Sequence, residues 1–198
     1  MPDARSTRDI VLDAALDLFG TRGFEATPLD QIAVRAGVTK QTLLYHFGDK
    51  DRLLAAVIDR TASEVAAALD AGLGSPDSTG GWVRVELVVR ATFRMAARRP
   101  ALLGMLREVS RLGGGPAAQL TAALEPLVAR ATAFLEREMA ADRMRQQDPR
   151  LVLLTAYSTV VAAATEVEVL RIMGIEPTAR TAVERRRALL SFLRAALV

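Results

Sequence analysis

The segment Thr39–Lys50, TKQTLLYHFGDK, holds both lysines of the chain, its one histidine and one of its two tyrosines. On a short helix these residue types suit one chemistry. Lysine donates to guanine O6 or N7, glutamine pairs with adenine N6 and N7, and leucine meets a thymine methyl. Thr, Tyr and His hold phosphate oxygens without reading sequence. On a helix through Phe47, Leu43 and Phe47 fall on one face, and Lys40, Gln41, Leu44 and Tyr45 on the outward one. That outward face fits a DNA major groove. Lys50 stands where the next helix begins. A cation there opposes the helix dipole, an arrangement that makes sense where a docked phosphate is shared with free N–H groups. The DNA-contacting set is Thr27, Thr39, Lys40, Gln41, Leu44, Tyr45, His46 and Lys50.

The surrounding residues set that face in place. Ser6 and Thr7 are N-cap candidates for a first helix, in which Ile10, Ala14 and Leu18 repeat with Val11, Ala15 and Phe19 beside them. Gly20 and Gly23 end it. Thr27 caps a second helix, with Pro28 at its first position and Asp30 at its positive end. Gly37 supplies the positive φ of the turn, Val38 plugs the corner, and Thr39 caps the third helix. Small Ala33 lets that helix approach, so Leu43 packs back onto Ile32 and Ala33. Two short helices joined this way form a helix-turn-helix unit. A longer fourth helix runs from about 50 to 71. Ala71–Gly81, AGLGSPDSTGG, reads as a linker. Beyond it the pattern predicts helices at 82–98, 101–112, 117–144, 150–173 and 178–197, and no strand.

Composition narrows the function. The chain has 198 residues and a net charge of +3, a mild excess that permits a nucleic-acid partner without indicating one. Residues 1–60 carry 8 Lys+Arg against 9 Asp+Glu, so DNA binding there rests on placed charges, not bulk basicity. Cysteine is absent, which excludes disulfides, cysteine nucleophiles and cysteine-held metals. An enzyme is disfavoured: the sole His lies in the motif, and Leu112–Pro116, LGGGP, has no preceding strand and no following Lys-Ser/Thr. No cofactor or metal is expected. No signal peptide opens the chain, and the longest uncharged run, Leu151–Thr165, is too short to span a bilayer. A cytoplasmic protein without a membrane partner is expected.

The stretch TRDIVLDAALDLFGTRGFEATPLDQIAVRAGVTKQTLLYHFGDKDRLLAAVID resembles the DNA-binding domain of the tetracycline-repressor (TetR) family of bacterial regulators. The carrying features are AALDLFGTRGFEAT, IAVRAGVTKQTLLYHF and DKDRLL, about 55 residues in all. The resemblance implies an all-helical homodimer that represses transcription and is usually released by a small molecule. Leu44 departs from the pattern, since members often carry an aromatic there. Operator preference should shift with it. The expected fold is all-α: a three-helix helix-turn-helix domain, 7–67, joined by the long fourth helix to a helical bundle, 75–198, for effector binding and dimerisation.

The second half supports the dimer and, less specifically, the effector. The 150–173 stretch is apolar on nearly every face and should be buried all round. The 178–197 helix carries Val183, Leu190 and Leu197 at seven-residue spacing, widened by Leu189, Phe192, Leu193 and Ala196. Arg185, Arg186, Arg187 and Arg194 hold its wet side. A seam of Ala163, Leu170, Val183, Leu190, Leu193 and Leu197 would join two subunits; intrachain packing alone gives similar stripes. Pocket candidates are Phe93, Met95, Met105, Phe134, Tyr157 and Val161, with methionine adapting to varied ligands. Each is equally ordinary core. The expected partners are a near-palindromic double-stranded operator, a second copy of the chain and a small, mostly apolar effector. The alternative is the same fold answering a protein partner or no signal.

Overall fold

The computed structural model describes residues 6–73 and 80–198, with the side chains of 71–73 set aside. Among them are ten α-helices and no strand: α1 (Thr7–Arg22), α2 (Leu29–Ala36), α3 (Lys40–Phe47), α4 (Lys50–Leu73), α5 (Gly81–Arg98), α6 (Pro100–Leu112), α7 (Gly114–Ala140), α8 (Pro149–Thr165), α9 (Val167–Ile172) and α10 (Ala179–Leu197). Most of the expected linker, 74–79, lies outside the described residues. The all-α expectation holds.

Local chemistry explains the boundaries. Ser6 Oγ accepts from Asp9 N at 3.1 Å and caps α1. Gly23, at φ +89°, ends it with its N–H on Phe19 O. Gly37 takes the left-handed conformation, φ +67°, and Val38 N reaches back to Ala33 O at 3.0 Å. Asp148 caps α8 ahead of Pro149, and Thr178 forms a capping box with Thr181 on α10. Several boundaries differ from expectation: α7 runs Gly114–Ala140, not 117–144. Gly20 sits inside α1 instead of ending it. The predicted 150–173 helix breaks at Glu166, whose ψ of 73° separates α8 from α9.

Contacts divide the chain into two compact units. The first holds the chain up to Val65 together with Arg99–Leu124. Its fully buried residues come from α1 (Val11, Leu16, Phe19), α2 (Ile32), α3 (Leu43), α4 (Leu53, Val57, Ile58) and α6 (Met105, Val109). α6 packs along α1. Where they cross, a Cβ on Gly104 would stand 2.0 Å from Gly20 O, and one on Gly20 2.2 Å from Ala101 O. Only paired glycines allow backbones so close. Arg60 ties α4 to α1 through Asp9 at 3.0 Å and Asp13 at 3.2 Å.

The second unit holds Ala66–Arg98 with Glu125–Val198. One core cluster joins Phe134, Leu135, Met139, Met144, Val152 and Leu197. Another joins Val89, Phe93, Val160, Leu189 and Leu193. Buried Glu138 receives Arg143 Nε and Nη2 at 2.8 Å each, closing the α7–α8 connection.

Candidate nucleic-acid interface

α3 divides as its sequence spacing demands. Leu43 and Phe47 are buried, while Lys40, Gln41, Leu44, Tyr45 and His46 are exposed. Tyr45, at 86% exposure, is a large aromatic left wholly to solvent, with the His46 ring edge-on at 5.4 Å. Thr39 Oγ1 accepts from Thr42 N at 3.1 Å, so it caps the helix while staying exposed. These side chains stand exposed on a helix whose inner side is locked, which suits insertion into a groove.

Charges around the face are held lightly. Lys40 Nζ donates to Asp30 Oδ2 at 2.9 Å, a bridge between α2 and α3 with both groups about half exposed. Such a pair contributes on the order of 0–1 kcal/mol, so a base or phosphate can take Lys40 from it. Lys50 Nζ lies 4.2 Å from the Phe24 ring centroid, where the ring's electron-rich face attracts it. Asp49 Oδ1 accepts from Arg52 N at 2.7 Å and covers one first-turn donor of α4. Arg8, which sequence reasoning did not single out, stacks over the Phe47 ring at 5.3 Å and adds an exposed cation beside α3. Its sequence signal was faint, an arginine just inside a helix start. Asp9 next to it is held below the ordinary carboxylate range by the Ser6 hydroxyl and then by Arg60.

Thr27 stands apart from the set. It is fully buried, and its hydroxyl donates to Gly23 O at 2.8 Å. Pro28, not Thr27, occupies the N-cap position of α2. The hydroxyl closes the α1–α2 turn and is not exposed as the α3 residues of the set are.

A sequence model of bacterial regulatory proteins of the tetR family matches residues 11–57. The HTH-type transcriptional regulator RutR of Escherichia coli K12 is 29% identical over 154 residues, 75% of this chain and 69% of RutR. The chain's N-terminal domain is therefore a TetR-type helix-turn-helix. Solved structures extend the likeness in fold over most of the chain. AibR in complex with isovaleryl coenzyme A and operator DNA superposes with a TM-score of 0.77 at 19% identity, covering 95% of this chain and 98% of AibR. FadR from Bacillus subtilis in complex with stearoyl-CoA gives 0.75 at 16% identity, covering 93% and 96%.

The structure scatters the residues read as a pocket. Phe93 and Phe134 lie in separate core clusters. Met95 is buried on α5, Met105 is fully buried in the first unit, Val161 is half-buried and Tyr157 is exposed. The residues read as a dimer seam also divide. Leu193 and Leu197 belong to the chain's own core, Leu170 is buried, Ala163 and Leu190 are half-buried, and Val183 is exposed. The inward stripe of α10 runs at four-residue spacing through Leu189, Leu193 and Leu197, not at seven. Arg185 is not on the wet side: it is half-buried and donates from Nη1 to Ala163 O, and burial pushes its pKa down. The stretch expected to be buried all round instead exposes Leu151, Leu154 and Tyr157 of α8, and α10 exposes Phe192 at 60%. Among the described residues, only one flank of each helix finds a partner within the chain.

Among the described residues no helix is long and apolar enough to cross a membrane, and no three His, Cys, Asp or Glu side chains gather to hold a metal ion.

Proposed function

We propose that the chain is a cytoplasmic, homodimeric repressor that holds a near-palindromic operator through α3 and is released by a small, mostly apolar effector. The observation that carries the reading is the division of α3: Leu43 and Phe47 lock its inner face while Lys40, Gln41, Leu44, Tyr45 and His46 stand outward. Lys40 and Gln41 are the base-reading pair. Thr39, Tyr45, His46 and Lys50 hold the backbone. Two copies joined through the outer flanks of α8 and α10, around Leu154, Ser158, Ala162, Val183, Ala188 and Phe192, would present two such helices to half-sites about one helical turn apart. Apolar side chains left exposed on both helices support that seam.

The effector reading draws support from AibR and FadR, solved with isovaleryl coenzyme A and stearoyl-CoA. An acyl chain is the apolar chemistry that Phe93, Met95, Phe134 and Val161 would accept. α4 supplies residues to both units, so a change at its end reaches Lys50 through one continuous helix. The effector must prefer the DNA-free state, and operator must weaken effector binding by the same factor. The separate packing of Phe93 and Phe134 favours a second reading, a regulator of this fold that answers a protein or no signal.

The test is a fluorescence-anisotropy titration of a duplex from the gene's own upstream region, with acyl thioesters and free fatty acids added in turn. Specific binding relieved by one of them is expected. Specific binding that no small molecule relieves, with tight retention in extracts, would favour the second reading.

A further inference from the structure

The helix-turn-helix does not satisfy its own first turn. The Phe24 N–H donates to Glu108 Oε1 at 2.7 Å, and Glu108 lies on α6, 84 positions along the chain. Phe24 and Glu108 are both buried, so this N–H has no water to turn to. Gly23, at φ +89°, leaves the space: a Cβ there would stand 3.2 Å from the same Oε1. The turn backbone is therefore fitted around the carboxylate. Arg111 donates from Nε at 2.9 Å and from Nη2 at 2.8 Å, which holds the Glu108 carboxyl below the ordinary range and keeps it an ionised acceptor at neutral pH. The Phe24 ring, fixed from its backbone and edge-on to Phe19 at 5.3 Å, carries the Lys50 ammonium over its face.

We propose that Glu108 is a positioning residue for DNA binding: from α6, outside the helix-turn-helix, it sets the Gly23–Phe24 turn and, through the Phe24 ring, holds the Lys50 ammonium where α4 begins. The proposal rests on Lys50 being a phosphate contact. Glu108 is more than a partner for Arg111. The Arg111 side chain is 60% exposed and solvated without help, whereas the Phe24 N–H depends on this one oxygen. The hold is geometric, so an uncharged acceptor of the same length should keep it and a shorter acid should lose it.

The experiment uses the full chain and the variants Glu108→Gln, Glu108→Asp, Glu108→Ala, Phe24→Leu and Lys50→Ala, each confirmed folded by circular dichroism. Without DNA, NMR reads the Lys50 side-chain protons, which the Phe24 ring current shifts upfield. With DNA, affinity is measured against salt. Glu108→Gln should match the wild type in both. Glu108→Asp, Glu108→Ala and Phe24→Leu should move the Lys50 protons toward their free positions. They should lower affinity for all sequences by about fivefold at 0.15 M salt and flatten the salt slope by about one unit, the share of one phosphate contact. Combining Glu108→Ala with Phe24→Leu should add little. Wild-type Lys50 resonances in Glu108→Asp, or Glu108→Gln as weak as Glu108→Asp, would overturn the proposal, and both can be read if Glu108→Ala does not fold. A Lys50→Ala variant with unchanged slope overturns the phosphate reading of Lys50 and with it the DNA role of Glu108, and the resonances show separately whether the hold on Lys50 exists.

Discussion

Replacing Gly104 by alanine should destabilise the first unit despite improving the helix. In an α-helix interior the exchange gains about 1 kcal/mol from backbone entropy. The new Cβ would lie 2.0 Å from Gly20 O, against a normal separation of roughly 3.5 Å. The obstacle is a backbone oxygen in the last turn of α1, which no rotamer change can move. The two helices must part by more than about 1 Å. Overpacking costs about 1–3 kcal/mol where side chains can yield, and here the upper end applies. The expected net loss is about 2 kcal/mol. With a urea m-value of about 1–3 kcal/mol/M, the unfolding midpoint should fall by about 1 M, read by circular dichroism. Parting α6 from α1 also withdraws Glu108 from Phe24, so operator affinity should fall with stability. A midpoint equal to or above the wild type would show that propensity decides and that the helices are not in such close contact.

Phe192→Glu places a charge on the outer flank of α10 without touching the chain's own core, so it should leave a folded monomer in sedimentation equilibrium at micromolar concentration and weaken operator binding more than tenfold; a persisting dimer would move the seam elsewhere. Thr27→Val removes the buried donor to Gly23 O and should cost about 1 kcal/mol of stability with the salt slope unchanged, whereas a slope flatter by about one unit would return Thr27 to the phosphate set. Glu108 and Glu138 are both held below the usual value of 4.5, first by hydrogen bonds from Arg111 and Arg143 respectively. Around pH 4.5 the unfolded chain therefore binds more protons, so these pairs stabilise fully above that range and lose their contribution as pH falls through the folded values. Glu138→Gln should accordingly flatten the acid limb of the urea midpoint below about pH 4.5, and an unaltered limb would contradict it.

What could be read in the sequence was local. Ser6, Gly37 and Thr39 announced their turns because a cap or a positive φ is set within four residues. The inward pair Leu43 and Phe47 followed from helical period alone. What was missed depends on distant partners. Gly20 looked like a stop because nothing nearby shows that α6 crosses α1 there. Glu108 could not be linked to Phe24 across 84 positions. Thr27 offered a hydroxyl that fits a cap, a phosphate or a turn equally, and burial decided for the turn. On α10, stripes at seven and at four residues both fit the letters, and only packing against α5 and α8 selected Leu189, Leu193 and Leu197. The break at Glu166 has no glycine or proline to announce it.

The central claim is that the outward face of α3 reads the operator. Selection of bound duplexes from a randomised pool, run in parallel for the wild type and for Gln41→Ala, tests it most directly. The wild type should select two inverted half-sites about one helical turn apart. Gln41→Ala should lose preference at one position in each half-site, by about 1–3 kcal/mol of discrimination, and keep the wild-type salt slope. Identical selected sequences from the two proteins would contradict the account.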